Sequence, residues 1–315
     1  MKILPTLRQL RYLVAVVERC HFGHAADDCL VSQSTLSAGI QELEDVLGAQ
    51  LLERSRRVVS PTPLGREIAR KAKALLGAAE DLVVTARAAQ EPMSGALHLG
   101  VIPTIGPFLL PAAMPVLRAQ FPALKLYLRE DQTLRLLERL DSGELDAAIL
   151  ALPFPLDGFE TQEIGADRFW VVCPSDHRLG SLASVDPSEL AFEDLLLLED
   201  GHCLRDHALA ACSLEGARRN AGYQGTSLHT LVQMVANGLG LTLVPQMALK
   251  AGILRGLDVS VRPLDGAAPY RRIGLVWRKT SGRKETFRRL SGALTACMAE
   301  LEKDEATSIG TARPA

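Results

Sequence analysis

The stretch from Leu64 to Ala89 constrains this chain most: it contains no proline and only two glycines. Ile68, Ala72, Leu75, Ala79, Leu82 and Ala86 recur within it at alternating spacings of four and three residues, the pattern of a coiled-coil seam. A helix of this length extends about 39 Å at 1.5 Å per residue. That is too long for its apolar stripe to be buried against the small segment before it, so a second copy of the chain is expected to cover the stripe. The expectation is a dimer built on a rod, with different structures on either side of it.

The segment before the rod reads as a helical head. Leu7, Leu10, Leu13, Val14 and Val17 recur at helical spacing, and the pattern stops near His21 to Gly23. Ala25 and Ala26 begin a short helix. Ser32 is a suitable N-cap for a third helix with inner face Leu36, Ile40, Leu43 and Leu47, stopped by Gly48. The outer face of that helix starts with Gln33, Ser34, Thr35 and Ser37, short hydrogen-bonding side chains that let a helix N-terminus approach phosphates and base edges. Arg56 to Val59 is strand-like and closed by Ser60-Pro61-Thr62-Pro63, a small wing that would carry Arg54, Arg56 and Arg57. Between Arg54 and Lys73 seven basic side chains stand against one acidic one, Glu67, which suits an anionic partner. The expectation is a winged helix-turn-helix over residues 1–63 that contacts double-stranded DNA through Gln33, Ser34, Thr35, Ser37, Arg54, Arg56 and Arg57.

After the linker Glu91-Pro92-Met93-Ser94-Gly95 the texture alternates between strand and helix. Leu97 to Ile102, Lys125 to Arg129, Asp146 to Leu150, Phe169 to Cys173, Leu195 to Glu199, Leu241 to Val244 and Arg272 to Trp277 are the candidate strands. The expected class is α/β with largely parallel sheets. About 210 residues is generous for one sheet and points to a two-lobed effector domain at 92–302, with lobe I at about 92–166 and 268–302 and lobe II at about 167–267. Residues 64–91 form the linker helix, and the polar end, 303–315, is expected to be disordered. With 47% hydrophobic and 23% charged residues and 35 basic against 37 acidic side chains, the composition excludes a disordered tail protein or an extended polybasic binder. No apolar run approaches the roughly 18 residues that cross a bilayer, and charges interrupt the first twenty residues. The expected location is the cytoplasm, with no membrane association.

The six cysteines include no CxxC pair and are too sparse for a disulfide framework. Cys203 differs from the others in its surroundings. Leu204 to Cys212 reads as a helix starting at Cys203, with His202 adjacent and Arg205 two residues on, and a helix N-terminus and nearby cations favour the nucleophilic thiolate. A buried structural cysteine is the bland alternative. Cys20, Cys29, Cys173 and Cys297 read as core. His202, Cys203, His207 and Cys212 could be metal ligands, but on one helix Cys203 and His207 share a face that excludes Cys212. No metal or cofactor is expected.

Together, Ala25-Ala26, Val31 to Ser37, Ile40, Leu43-Glu44, Leu47-Gly48, Leu51 to Arg54 and Thr62-Pro63-Leu64-Gly65 resemble the LysR-type transcriptional regulators. The family usually has proline where this chain has Ser34. Ser142-Gly143-Glu144-Leu145-Asp146 and Gly238-Leu239-Gly240 with Pro245 resemble landmarks of the family's effector domain, which extends the likeness to about Glu302. The implied architecture is a winged helix-turn-helix, a linker helix and a two-lobed α/β domain like the periplasmic binding proteins. The string Glu199 to Asp206 followed by Cys212, with Ile102-Pro103-Thr104, Gly106-Pro107 and Ser142-Gly143, is similar to the hydrogen-peroxide-sensing branch of the family. That resemblance implies that Cys203 is the peroxidatic cysteine and Cys212 the resolving one. It further implies that Thr104 and Thr133 help hold peroxide, and that His202, Arg205 and Asp206 neighbour the reactive thiol. It also implies operator DNA, RNA polymerase and further copies of the chain, up to a tetramer, as partners. The branch carries an acidic residue where this chain has His229.

Three readings stay open on the sequence: a peroxide-responsive regulator, a family member binding a small metabolite between its lobes, and a thiol peroxidase. The last leaves the DNA-binding head and the long helix unexplained.

Overall fold

The computed structural model describes residues 4–54, 59–88, 92–199, 201, 203–211, 219–225, 227–265 and 270–303. Arg56, Arg57, His202 and Cys212 lie outside the described residues, as does the expected tail after Lys303. The described chain forms two compact units.

The first unit takes in residues 1–91 with 138–145 and 280–283. Helix α1 (Leu7–Arg19) starts at a capping box in which Thr6 and Gln9 satisfy each other's amides. It ends at Cys20, whose φ of 49° is left-handed. That cap position leaves Cys20 exposed rather than in the core as expected, and Cys29 is only half-buried. Helix α2 (Phe22–Asp28) buries Ala25 and Ala26. Helix α3 (Gln33–Leu47) is capped by Ser32, which accepts the Thr35 amide, and by Gly48 at φ 66°. Leu36, Ile40 and Leu43 are fully buried. Leu47, expected on the same face, is exposed. It ends the helix, and Ala49 then donates back to the Glu44 carbonyl so that the chain does not cover it. Leu7 is exposed too, while Tyr12 and Val16 fill the core.

Strands β1 (Leu52–Arg54) and β2 (Val59–Pro61) pair antiparallel, so the expected strand at 56–59 begins only at Val59. The buried Glu44 carboxylate anchors β1 by accepting the amides of Leu51 and Leu52 at 2.7 and 3.1 Å. Helix α4 (Pro63–Ala88) begins one residue before the expected start, with proline at the first position, where its missing N–H is not needed. Ala69 and Ala72 are buried in the head core and Ile68 packs against it. The first part of the apolar stripe is therefore covered by the head itself rather than by a second copy. Leu75 and Leu82 remain 57% and 73% exposed, and Val83 is exposed beside them.

The second unit contains the remaining elements in the order β3 (Gly95–Val101), α5 (Gly106–Gln120), β4 (Leu124–Glu130), α6 (Thr133–Asp141), β5 (Ala147–Leu152), β6 (Phe159–Pro174), β7 (Leu195–Leu198), α7 (Cys203–Ala211), β8 (Arg219–Gly225), α8 (Leu228–Ala236), β9 (Thr242–Pro245), α9 (Gln246–Lys250), β10 (Val259–Pro263), β11 (Tyr270–Arg278) and α10 (Lys284–Lys303). The last four residues of α6 group with the first unit. A seven-stranded sheet runs β10-β6-β11-β5-β3-β4, with β9 also on β6, and β7 and β8 form a separate pair.

The sheet is mixed rather than largely parallel. Strand β3 is parallel to β4 and β5, but β11 returns antiparallel between β5 and β6, and β9 and β10 are antiparallel to β6. Strand β6 is the spine of both lobes: β11 pairs with its first part, through Arg168, and β9 and β10 pair with the stretch from Phe169 on. The all-apolar sequence of β5 fits a strand buried on both faces.

Candidate thiol site and nucleic-acid interface

On the head, Gln33, Ser34 and Thr35 are exposed at the start of α3 and Ser37 is half-buried. The Ser32 hydroxyl lies 2.9 Å from Ser34 Oγ and 2.8 Å from Thr35 Oγ1, so three hydroxyls cluster at the cap. Arg54 ends β1 beside the wing. The basic run is partly neutralised within the chain, because Lys71 pairs with Glu67 at 3.1 Å and Lys73 with Glu18 at 2.9 Å.

In the second unit, Cys203 is the first residue of α7 and only 7% exposed. Ile102, Pro103, Thr104, Gln132, Thr133 and Gly201 join it in lining a recess of no more than about 160 Å³. Thr104 comes from the loop between β3 and α5, and Thr133 is the first residue of α6. The expected residues Cys203, Thr104 and Thr133 are thus brought together. Gly201 has φ +97°, and a Cβ there would come within 2.9 Å of Gln132 Oε1, so this turn requires glycine just before the thiol. Arg205 is half-buried on α7, and Asp206 lies one residue beyond it on the same helix. Leu204, Ala208 and Leu209 are buried beneath the helix.

The two threonines differ. Thr104 Oγ1 accepts a hydrogen bond from Arg271 Nη1 at 2.8 Å and its carbonyl accepts one from Nη2 at 2.7 Å. Because its oxygen accepts from arginine, its own O–H is directed elsewhere. Thr133 Oγ1 is buried and has no hydrogen-bond partner among the described residues. A lone buried hydroxyl costs roughly 1–3 kcal/mol, a cost that a ligand able to hydrogen-bond would remove.

Arg271 and Asp167 belong to the site without having stood out in the sequence. The register pairs them directly across β11 and β6. Both are buried, and Arg271 donates to Asp167 Oδ2 from Nε at 3.2 Å and from Nη2 at 3.0 Å. Asp167 Oδ1 accepts the Met247 amide at 3.0 Å. Burial pushes the Asp167 carboxyl up, opposed by the Arg271 guanidinium and the Met247 amide. A buried arginine whose charge is matched this way holds the Thr104 loop in place at the point where β6 passes between the lobes.

Cys29, Cys173 and Cys297 offer poorer nucleophiles. Burial pushes the Cys173 thiol up to about 11, and it also raises the Cys29 and Cys297 thiols. His207, weighed above as a metal ligand with Cys203, donates from Nε2 to the Pro153 carbonyl at 2.9 Å. His229 stacks on Phe108 with ring centres 5.8 Å apart.

Two family models match. Residues 7–66 match the bacterial regulatory helix-turn-helix protein, lysR family, and residues 90–298 match the LysR substrate binding domain. The DNA-binding transcriptional dual regulator OxyR of Escherichia coli K12 is 43% identical over 93% of this chain and 95% of its own. The HTH-type transcriptional regulator EstR of Acinetobacter baylyi is 42% identical over 91% and 95%. Among solved structures, a full-length OxyR variant from Pseudomonas aeruginosa is similar with TM-score 0.78 at 36% identity, covering 94% of this chain and 96% of that one. An H2O2-bound OxyR variant from Corynebacterium glutamicum is similar with TM-score 0.66 at 36% identity, covering 96% and 95%. With two family models that together span most of its length, and with relatives this similar end to end, the chain belongs to the LysR family of bacterial transcriptional regulators.

Proposed function

We propose that this chain is a hydrogen-peroxide-sensing, DNA-binding transcriptional regulator in which Cys203 is the thiol that peroxide oxidises. The observation that carries this reading is the recess itself. It places Cys203 at a helix N-terminus beside two threonine hydroxyls, one of them without a hydrogen-bond partner among the described residues. The recess has no room for the centre of a water-sized sphere, against roughly 300–1,000 Å³ for metabolite pockets, so it is closed to an ordinary metabolite, and its thiol and hydroxyl lining suits a very small effector with its own donors and acceptors. The relatives named for OxyR, including the H2O2-bound one, point the same way.

In the proposed reaction the Cys203 thiolate attacks one peroxide oxygen. An S–O bond forms, the O–O bond breaks, sulfur is oxidised to sulfenic acid and hydroxide leaves. The Cys212 thiol then displaces the sulfenic oxygen as water and forms a disulfide with Cys203. His202, Arg205 and Asp206 serve as the polar surroundings of the reacting sulfur. A helix extending from Cys203 to Cys212 would set them about 13.5 Å apart along its axis, whereas a disulfide needs Cα atoms roughly 4.4–6.8 Å apart. Helix α7 must therefore unravel on oxidation and release Leu204, Ala208 and Leu209 from their packing. That local melting is the switch that rearranges the oligomer on its operator.

The heads are assigned to operator DNA through Gln33, Ser34, Thr35, Ser37, Arg54, Arg56 and Arg57, and the exposed part of α4 to a second copy of the chain. A tetramer contacting RNA polymerase in the cytoplasm completes the reading. No helix among the described residues is long and apolar enough to cross a membrane. The test is an operator footprint with and without peroxide. The wild type should change its footprint, Cys203→Ser should not, and Cys212→Ser should stop at the sulfenic acid. A peroxide-dependent footprint in Cys203→Ser would overturn the assignment in favour of a bound metabolite.

A further inference from the structure

We propose that α6 carries the state of the Cys203 recess to the linker helix α4, through a docking point made by Gly143 and Glu144 on Gly77 and Lys73. The inference rests on the proposed peroxide chemistry and adds its route of transmission.

One end of α6 is in the recess. Thr133 is its first residue, and the Thr133 hydroxyl is buried there with no hydrogen-bond partner among the described residues. Any molecule or sulfur oxygen that engages this hydroxyl therefore acts directly on the helix. Nine helical residues make a stiff rod about 13 Å long, and Leu136 and Leu140, both fully buried, fix its inner face.

The other end belongs with the linker helix, because residues 138–145 group with the head and α4 in one compact unit. The contact is made by two glycines. A Cβ on Gly77 would lie 2.9 Å from the Ser142 carbonyl oxygen and 3.0 Å from Gly143 Cα, and a Cβ on Gly143 would lie 2.8 Å from Gly77 Cα. Gly143 has φ +82°, a conformation that glycine adopts without strain. Gly77 stands inside a helix, where glycine is disfavoured, and the close approach accounts for its presence. One turn before Gly77, Lys73 forms an ion pair with Glu144, which is also held by Arg139 of α6. The same ammonium holds Glu18 of α1 at 2.9 Å, so one cation joins the corner after α6, the linker helix and the head.

A shift of α6 that starts at Thr133 thus ends at Gly77 and Lys73 of α4, and the Lys73 ammonium also pairs with Glu18 of the head. The segment Ser142-Gly143-Glu144 lies outside the recess, and this docking gives it a role.

The test uses the full-length protein with two readouts, the rate at which peroxide oxidises Cys203 and the peroxide-dependent change of the operator footprint. Gly77→Ala improves helix propensity and fills the gap that the docking needs. It should leave the oxidation rate within about twofold and weaken the footprint response at least about fivefold, the lower end of a typical allosteric coupling. Glu144→Lys should do the same, and combining it with Lys73→Glu should recover part of the response. Wild-type footprint responses in both Gly77→Ala and Glu144→Lys would overturn the relay while leaving the peroxide reading intact. Slowed Cys203 oxidation in both would also overturn it, because the corner would then shape the recess instead of reading it. If peroxide does not oxidise Cys203 in the wild type, the peroxide reading falls and the relay falls with it.

Discussion

At the scale of single residues, Thr104 and Thr133 differ in that the first hydroxyl accepts from Arg271 and the second has no hydrogen-bond partner among the described residues. Thr133→Val removes a buried hydroxyl that has no partner among the described residues, so the folded state should be no less stable. The same change should slow oxidation of Cys203 by peroxide about tenfold or more, the worth of one hydrogen bond to a charged group. Thr104→Val leaves an Arg271 N–H unpaired in the interior and should cost about 1–3 kcal/mol of stability in addition to its effect on rate. Thermal melts and stopped-flow thiol kinetics on the two variants check the contrast, and equal stability losses would contradict it. Native alkylation at pH 8 should find Cys20 exposed and quick to react, and Cys173, with a thiol at about 11, almost wholly protonated and unmodified. Cys203 and Thr104 stand in strings that can be picked out of the sequence, whereas Thr133 stands in none and is singled out by the family resemblance alone. Arg271 and Asp167 are not legible there, because they are 104 positions apart and meet only through the register of β11 on β6.

Among the elements, the linker helix shows how far periodicity reaches. Spacing places its start within one residue, but does not say that the head will bury Ala69 and Ala72. What remains for a second copy is the stretch from Leu75 onward. A Leu75→Asp, Leu82→Asp double variant should therefore leave the head's thermal stability nearly unchanged, because both side chains are exposed in the single chain. It should shift sedimentation from dimer to monomer, because each carboxylate would be desolvated in the seam. An unchanged dimer would contradict the assignment. The strands are less legible. Only the apolar end of β6 reads as a strand, because its first half alternates exposed polar residues with few buried ones. Strand β8, Arg-Asn-Ala-Gly-Tyr-Gln-Gly, carries no strand pattern at all. The order of strands cannot be read from local pattern, and the antiparallel return of β11 is what makes the sheet mixed.

The whole molecule joins a helix-turn-helix head, a long helix with exposed leucines and a cysteine at a helix N-terminus in one chain. DNA affinity should fall steeply with salt, and Arg56→Ala should reduce the slope of log affinity against log salt by about 0.9, the share of one neutralised phosphate, on all sequences alike. Gln33→Ala or Ser37→Ala should instead change discrimination between sites by roughly 1–3 kcal/mol. Unchanged site preference in both would remove α3 as the reading helix. That peroxide joins Cys203 to Cys212 is tested most directly by mass spectrometry with thiol alkylation before and after one equivalent of hydrogen peroxide. The expected result is a loss of about 2 Da, two hydrogens, mapped to a peptide pair containing Cys203 and Cys212, with the other four cysteines still open to alkylation after unfolding. A chain that keeps all six thiols, or that forms its bond between any other pair, would contradict it.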